Sequence, residues 1–201
     1  MTGDHYFTAE PTTDAQPREV EFSVADRDYR LASAGGVFSA TRLDPGTAVL
    51  LRKADLPAAD TTGELLDLGC GFGPIACVLA DTAPTATVWA VDVNARAREL
   101  TAANAARIGA TDRVRVAAPD DVPGDVHFAQ IWSNPPIRIG KEGLHDLLLR
   151  WLPRLAPDGV AWLVVARHLG GDSLHRWLAD QGWQVERQAS QKGFRVLRVT
   201  R

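Results

Sequence analysis

The stretch Leu65-Leu66-Asp67-Leu68-Gly69-Cys70-Gly71-Phe72-Gly73-Pro74 decides how the rest of the chain is read. Two leucines run into an aspartate, three glycines follow at every second position, and Pro74 opens the apolar run Ile75 to Ala80. That order predicts a buried strand, a tight turn and a helix. Glycine serves where the backbone takes positive φ or where a ligand approaches closely, and the free N–H groups opening the next helix receive polar or anionic groups. Pro74 suits the first helical turn. The nicotinamide-type fingerprint G-x-G-x-x-G requires glycine at position 74. The turn therefore faces a ligand of another class.

Downstream, Thr87 to Asp92 is a second strand ending in an acid about twenty residues after the glycines. A carboxylate at such a strand tip accepts from both hydroxyls of an adenosine ribose. Asn94 then caps a helix carried by Leu100, Ala103 and Ile108 and closed by Gly109. A third strand, Val114 to Ala117, leads to Pro119-Asp120-Asp121, where Asp120 is either a contact for an adenine amine or an ordinary turn residue. The fourth strand, Phe128 to Ser133, ends in Asn134-Pro135-Pro136-Ile137. A helix with Leu144, Leu148 and Trp151 inward stops near Pro153 to Pro157 and the Asp158-Gly159 turn. Val160 to Ala166 is apolar on both faces, as a central parallel strand is. Asp172 or Ser173 caps one more helix, and residues 183–189 and 194–200 make two strands around Gln191-Lys192-Gly193. Alternating β and α with a terminal hairpin predicts a doubly wound α/β sheet.

At 201 residues the chain reads as one domain, large enough to bury about 70% of its unfolded surface. Residues 1–17 form a loose arm, residues 18–45 a β-hairpin extension, and residues 46–201 the core. In the extension, Val20, Phe22 and Val24 share a face, Ala25 to Asp28 turn, and Tyr29, Leu31 and Ser33 return. A short helix is expected over Ala48 to Lys53. Phe38, between them, is either core or part of the ligand site.

Composition is that of an ordinary globular protein, with 45% hydrophobic and 23% charged residues. With no run of 18 apolar residues and no basic, apolar start, a cytoplasmic protein without a membrane partner is expected. Cys70 and Cys77 are too close along one strand-turn-helix unit for a disulfide framework, and the five histidines lack metal spacing, so no metal is expected. The net charge of −3 gives no overall attraction for nucleic acid. Residues 183–201, however, hold five basic side chains against Glu186. That tail is either a protected edge hairpin or a phosphate-contacting surface.

The Asn-Pro-Pro tip is rigid, because a proline moves Asn134 out of the helical region and each proline fixes its own φ. Such a segment aims two acceptors, the Asn134 side-chain oxygen and the Pro135 carbonyl, at one point. A conjugated amine is a poor nucleophile because its lone pair is delocalised. Acceptors gripping its two N–H bonds turn the lone pair toward a methyl donor and stabilise the charge that develops. No strong base is required.

The set LLDLGCGFGP, AVDVN, SNPPIR and KGFRVLRV resembles the "small" family of class I S-adenosylmethionine (SAM) methyltransferases, which includes bacterial small-subunit ribosomal RNA guanine-N2 methyltransferases. The resemblance runs from about Val20 to Val199 and implies a mostly parallel, seven-stranded Rossmann-like sheet. It implies SAM contacts from Asp67, Gly69, Gly71 and Gly73, ribose contact from Asp92, and amine positioning by Asn134, Pro135 and Pro136. Phe38 and Asp120 join the expected cofactor site. An RNA substrate would be met by Ile137, Arg138, Lys141, Lys192 and Arg195, with Ile137 standing where many members carry a stacking aromatic. Three functions follow: an RNA amino-group methyltransferase acting on guanine N2 of ribosomal RNA, the same chemistry on a protein glutamine amide or small amine, and a SAM-binding module without catalysis.

Overall fold

The computed structural model describes residues 16–136 and 139–201. Strands β1 (Pro17–Val24) and β2 (Arg27–Ala34) pair as an antiparallel hairpin, and helix α1 (Pro45–Lys53) follows. Then come β3 (Glu64–Leu68), α2 (Pro74–Thr82), β4 (Thr87–Val91), α3 (Ala95–Arg107), β5 (Val114–Ala117), β6 (Phe128–Ser133), α4 (Gly140–Trp151), β7 (Leu155–Ala166) and α5 (Gly171–Asp180). The chain closes with β8 (Gln184–Gln191) and β9 (Phe194–Thr200). One seven-stranded sheet has the order β5-β4-β3-β6-β7-β9-β8. Its pairs are parallel from β5 to β7 and antiparallel at β7-β9 and β9-β8. This is the doubly wound sheet with terminal hairpin that the pattern predicts. The winding reverses between β3 and β6, the point at which open α/β sheets bind ligands beyond their strand ends. The glycine loop leaves β3 there and Asn134 leaves β6 beside it.

Alternation along the strands splits the core into two layers. Trp132, Trp162 and Val164 join Leu50, Leu79 and Leu31 on the face covered by α1, α2, α3 and the hairpin. Ile131, Leu163 and Val165 join Leu148, Trp151 and Leu178 on the face covered by α4 and α5. The run Val160–Ala166 is apolar throughout because it feeds both layers.

The N-terminal hairpin is fastened to the core by polar groups as well. Tyr29 Oη donates to Asp81 Oδ2 at 2.8 Å. Asn104, wholly buried on α3, accepts from Ala32 N at 2.7 Å and donates to the carbonyls of Ala32 and Phe72, each at 2.8 Å. One side chain thus links the hairpin to the glycine loop.

Several boundaries differ from expectation. The first turn takes two residues, Ala25 and Asp26, both at positive φ, where four were expected; this mirror-image turn matches the strand twist. Helix α1 starts at Pro45, three residues ahead of the expected start, because Asp44 Oδ2 caps it by accepting from Thr47 N at 3.0 Å. Pro157-Asp158-Gly159 is a bulge within β7, lying between the pairs Leu155↔Phe128 and Val160↔Gln130, rather than a turn before it. Helix α5 is capped by Gly170 at φ 106° and by neither Asp172 nor Ser173. The first fifteen residues of the expected arm lie outside the described residues.

Candidate active site

Strand β3 carries Asp67 into full burial, where its Oδ2 accepts from Ala76 N at 2.9 Å and its Oδ1 has no partner. That bond ties the strand to the first turn of α2 across the glycine loop. Burial pushes the Asp67 carboxyl up to about 8, opposed by the Ala76 N–H and reinforced by the charge of Asp92. Gly71, at φ 58°, donates its N–H to Asp92 Oδ2 at 2.9 Å. A Cβ on Gly71 would meet nothing within 4 Å, so the loop backbone is open on its outer side.

Asp92 follows β4, and its Oδ1 accepts from Asn94 N at 2.9 Å. Each carboxylate oxygen keeps a lone pair for a further donor. Burial raises this carboxyl, while the N–H groups of Asn94 and Gly71 and the charge of Arg98 pull it down. Asn94 caps α3 by accepting from Ala97 N at 3.2 Å, and its Nδ2 donates to Gly36 O at 2.9 Å. Arg96 donates to Gly35 O at 2.8 Å. The Gly35-Gly36 bend is thereby strapped to the Asp92 tip and sets Val37 and Phe38 on a cavity wall. Phe38 is 39% exposed and lines the cavity, so it is not a core residue.

Across the switch point, Asn134 Nδ2 donates to Asp44 Oδ2 at 2.7 Å and to Thr47 Oγ1 at 2.9 Å. Both amide hydrogens are used, so Oδ1 is the hydrogen-bonding atom that the group still offers. The cavity between the two tips is about 310 Å³, within the roughly 300–1,000 Å³ of small-molecule sites. Gly69, Gly71 and Asp92 line one side; Asn134, Pro135 and Pro136 line the other. His168 and Phe194 close the end toward β7 and β9.

The structure gathers Gly69, Gly71, Asp92, Phe38 and the Asn134-Pro135-Pro136 tip around this one cavity; Asp67 and Gly73 are buried and do not line it. It does not bring Asp120 there. Arg150 on α4 donates to Asp120 Oδ1 at 2.8 Å, and this charge-assisted bond holds the carboxylate outward with its side chain 89% exposed; Pro119 faces the cavity instead. Nor is Arg195 a surface cation. Its place on β9 points it at the layer covered by α5, where it is buried and ion-paired with Asp172. Lys141 and Lys192 are exposed, the latter at the β8-β9 turn, and Ile137 and Arg138 lie outside the described residues. Sequence reasoning missed Asp44, Thr47, His168 and Phe194. Asp44-Pro45 was readable as a helix cap followed by a first-turn proline, but its contact with a residue 90 positions away was not. Among the described residues, no cluster of three or more His, Cys, Asp or Glu is placed to hold a metal, and no helix is long and apolar enough to cross a membrane.

A seven-stranded sheet with its last strand inserted antiparallel, and with both functional tips at the switch point, is the architecture of the SAM-dependent methyltransferases. The chain belongs to the methyltransferase small domain family, whose model matches residues 28–198. It is 31% identical over 199 residues to the uncharacterized protein YbxB of Bacillus subtilis (strain 168), covering 98% of each chain. It is 35% identical over 181 residues to ribosomal RNA small subunit methyltransferase C of Pseudomonas aeruginosa (strain UCBPP-PA14), covering 81% of this chain and 52% of that one. The chain thus spans about half the length of that relative. The fold matches the T. thermophilus 16S rRNA N2 G1207 methyltransferase (RsmC), solved with AdoMet and guanosine, at TM-score 0.76 and 21% identity over 95% of this chain and 52% of that one. The protein is a SAM-dependent methyltransferase. Its residues fit the cofactor: the Gly71 backbone is open, and Asp92, on the cavity wall, keeps unused acceptor capacity beside the loop.

Asp67 is also expected to make folding pH-dependent. An acid whose folded pKa lies above its unfolded value binds more protons in the native state, so its contribution to stability is greatest below about 4 and falls as pH rises to about 8. Asp67→Asn keeps the shape without the charge and is expected to flatten that fall. Denaturant unfolding of both proteins between those limits measures it; parallel stability curves would show that Asp67 does not carry the effect.

Proposed function

We propose that the protein methylates an exocyclic amino group, guanine N2 in ribosomal RNA, with Asn134 gripping the reacting nitrogen. The observation that carries the reading is the tethered Asn134 amide, whose nitrogen is committed to Asp44 and Thr47 and whose oxygen is left to accept. Bound SAM supplies an electrophilic methyl group on a positively charged sulfur. The glycine loop would cradle the cofactor, and Asp92 would accept from its ribose hydroxyls. Asn134 Oδ1 and the Pro135 carbonyl accept the two N–H bonds of the amine, turning its lone pair out of conjugation and stabilising the positive charge on nitrogen. With SAM bound, the N–C bond would form as the S–C bond breaks, and the cationic nitrogen would then give its extra proton to water. Orientation alone contributes on the order of 7–11 kcal/mol in well-aligned models.

Ribosomal RNA is supported by the named relatives and by exposed Lys141 and Lys192, with Arg138, close to Lys141 in sequence, as a further phosphate contact. Phe194 offers the aromatic face that position 137 lacks. A second reading, methylation of a protein amide or a small amine, gains from the burial of Arg195, which removes one cation from the basic tail. Labelled SAM added with the purified protein to lysate from a strain lacking it separates the two. Label in the small-subunit ribosomal RNA supports the first reading, and label confined to protein or small molecules overturns it.

Asp92→Ala should remove a charge-assisted contact to the ribose and weaken SAM binding by roughly 1.5–3 kcal/mol. Calorimetric titration of the folded variant checks this, and unchanged affinity would withdraw the ribose assignment.

A further inference from the structure

The Asn134 amide is fixed by groups on a different element, the cap and first turn of α1. Asp44 Oδ2 accepts twice, from Thr47 N at 3.0 Å and from Asn134 Nδ2 at 2.7 Å, while Thr47 Oγ1 takes the second amide hydrogen at 2.9 Å. An ionised carboxylate only accepts. The amide atom that faces Asp44 must therefore be nitrogen, since turning the group over would set two oxygens 2.7 Å apart. The position is also sterically closed. A Cβ on Gly46 would lie 2.9 Å from Asp44 Oδ2 and 3.0 Å from the Phe194 ring, so residue 46 must be glycine for the carboxylate to stay in place. The carboxylate sits at the N-terminus of α1, where the helix favours negative charge. Asp44 itself reaches the cavity wall beside Asn134.

We infer that Asp44 is a positioning residue for methyl transfer: with Thr47 it locks the Asn134 amide so that Oδ1, and never Nδ2, meets the acceptor amine. This rests on the proposed role of Asn134. A flipped amide would present N–H to N–H and repel the substrate. The negative charge at the nitrogen end also polarises the amide, so Oδ1 becomes a stronger acceptor as positive charge grows on the reacting nitrogen.

Capping and positioning are separable by substitution. Serine and asparagine both cap helices about as well as aspartate, but serine is too short to hold Asn134, whereas asparagine keeps an acceptor oxygen. Asp44→Ser should lower kcat on the order of tenfold to a hundredfold, the range for losing a group that orients a functional side chain, with SAM affinity unchanged. Asp44→Asn should recover most of that loss. In Asn134→Ala the amide is absent, so adding Asp44→Ser should cost no further kcat.

The test is this double-mutant cycle, run with labelled SAM and unmethylated small-subunit ribosomal RNA. It is paired with NMR measurement of solvent exchange at the Asn134 side-chain amide hydrogens, which needs no acceptor. Non-additive kcat losses, with amide exchange faster in Asp44→Ser than in the unaltered protein, are the expected result. Equal kcat losses from Asp44→Ser in both backgrounds, or unchanged amide exchange, would overturn the inference and leave the Asn134 reading standing. A near-normal kcat for Asn134→Ala alone would instead overturn that reading.

Discussion

Asn134→Ala is expected to bind SAM almost normally and to lose about a hundredfold or more in kcat, the scale for removing one preorganised polar group from an active site. Its contact strengthens as the lone pair leaves conjugation, so its loss falls on the transition state and spares the cofactor. Asp92→Ala should do the reverse. Alanine also frees Asp44 and Thr47 from their shared partner, but both keep the α1 cap bond at 3.0 Å, and the fold should persist. Circular dichroism establishes folding first; turnover and calorimetric titration then give kcat and Kd. Near-normal kcat would reduce Asn134-Pro135-Pro136 to a rigid turn, and the amino-group chemistry drawn from it would be withdrawn.

Gly73→Ala carries the largest expected structural effect. Gly73 stands at φ 88°, and a Cβ there would lie 2.9 Å from both Cγ2 and Oγ1 of Thr101 and 3.2 Å from its backbone Cα. Rotating the Thr101 side chain relieves the first two contacts and not the third. Thr101 is wholly buried, and its hydroxyl donates to Gly71 O at 3.0 Å, so relief would also break a bond that shapes the loop. Left-handed strain of about 1–2 kcal/mol and overpacking of about 1–3 kcal/mol together give a loss of roughly 2–5 kcal/mol. For a chain of this size that lowers Tm by on the order of 10 °C. SAM binding should weaken with it, because the displaced loop forms the cradle. Thermal unfolding and titration of the variant measure both, and an unchanged Tm would mean that the loop yields where its packing says it cannot.

Both anchors were legible in the sequence because each is local. The glycine spacing after an apolar strand, an acid at the next strand tip and two prolines after an asparagine all act within a few residues, and Asn94 capping α3 follows from its own side chain. The run Val160–Ala166 declared a strand buried on both faces without any knowledge of its neighbours. What was not legible depends on partners far along the chain. Arg195 looks like a surface cation until β9 is paired and α5 covers that face. Asp120 looks like a ligand until Arg150, thirty residues later, draws it outward. Asp44 reads as a cap and says nothing of Asn134. Ala25 and Asp26 accept positive φ only because the strand twist of the hairpin demands it.

The central claim is that the reacting atom is an exocyclic amino nitrogen presented in RNA. It is tested most directly by incubating the protein with labelled SAM and unmethylated small-subunit ribosomal RNA, digesting the RNA to nucleosides, and identifying the labelled one by mass spectrometry. N2-methylguanosine is the expected product, and Asn134→Ala should form it more slowly by about a hundredfold or more. Label on a ribose oxygen or a ring carbon, or label recovered only in protein, would contradict it.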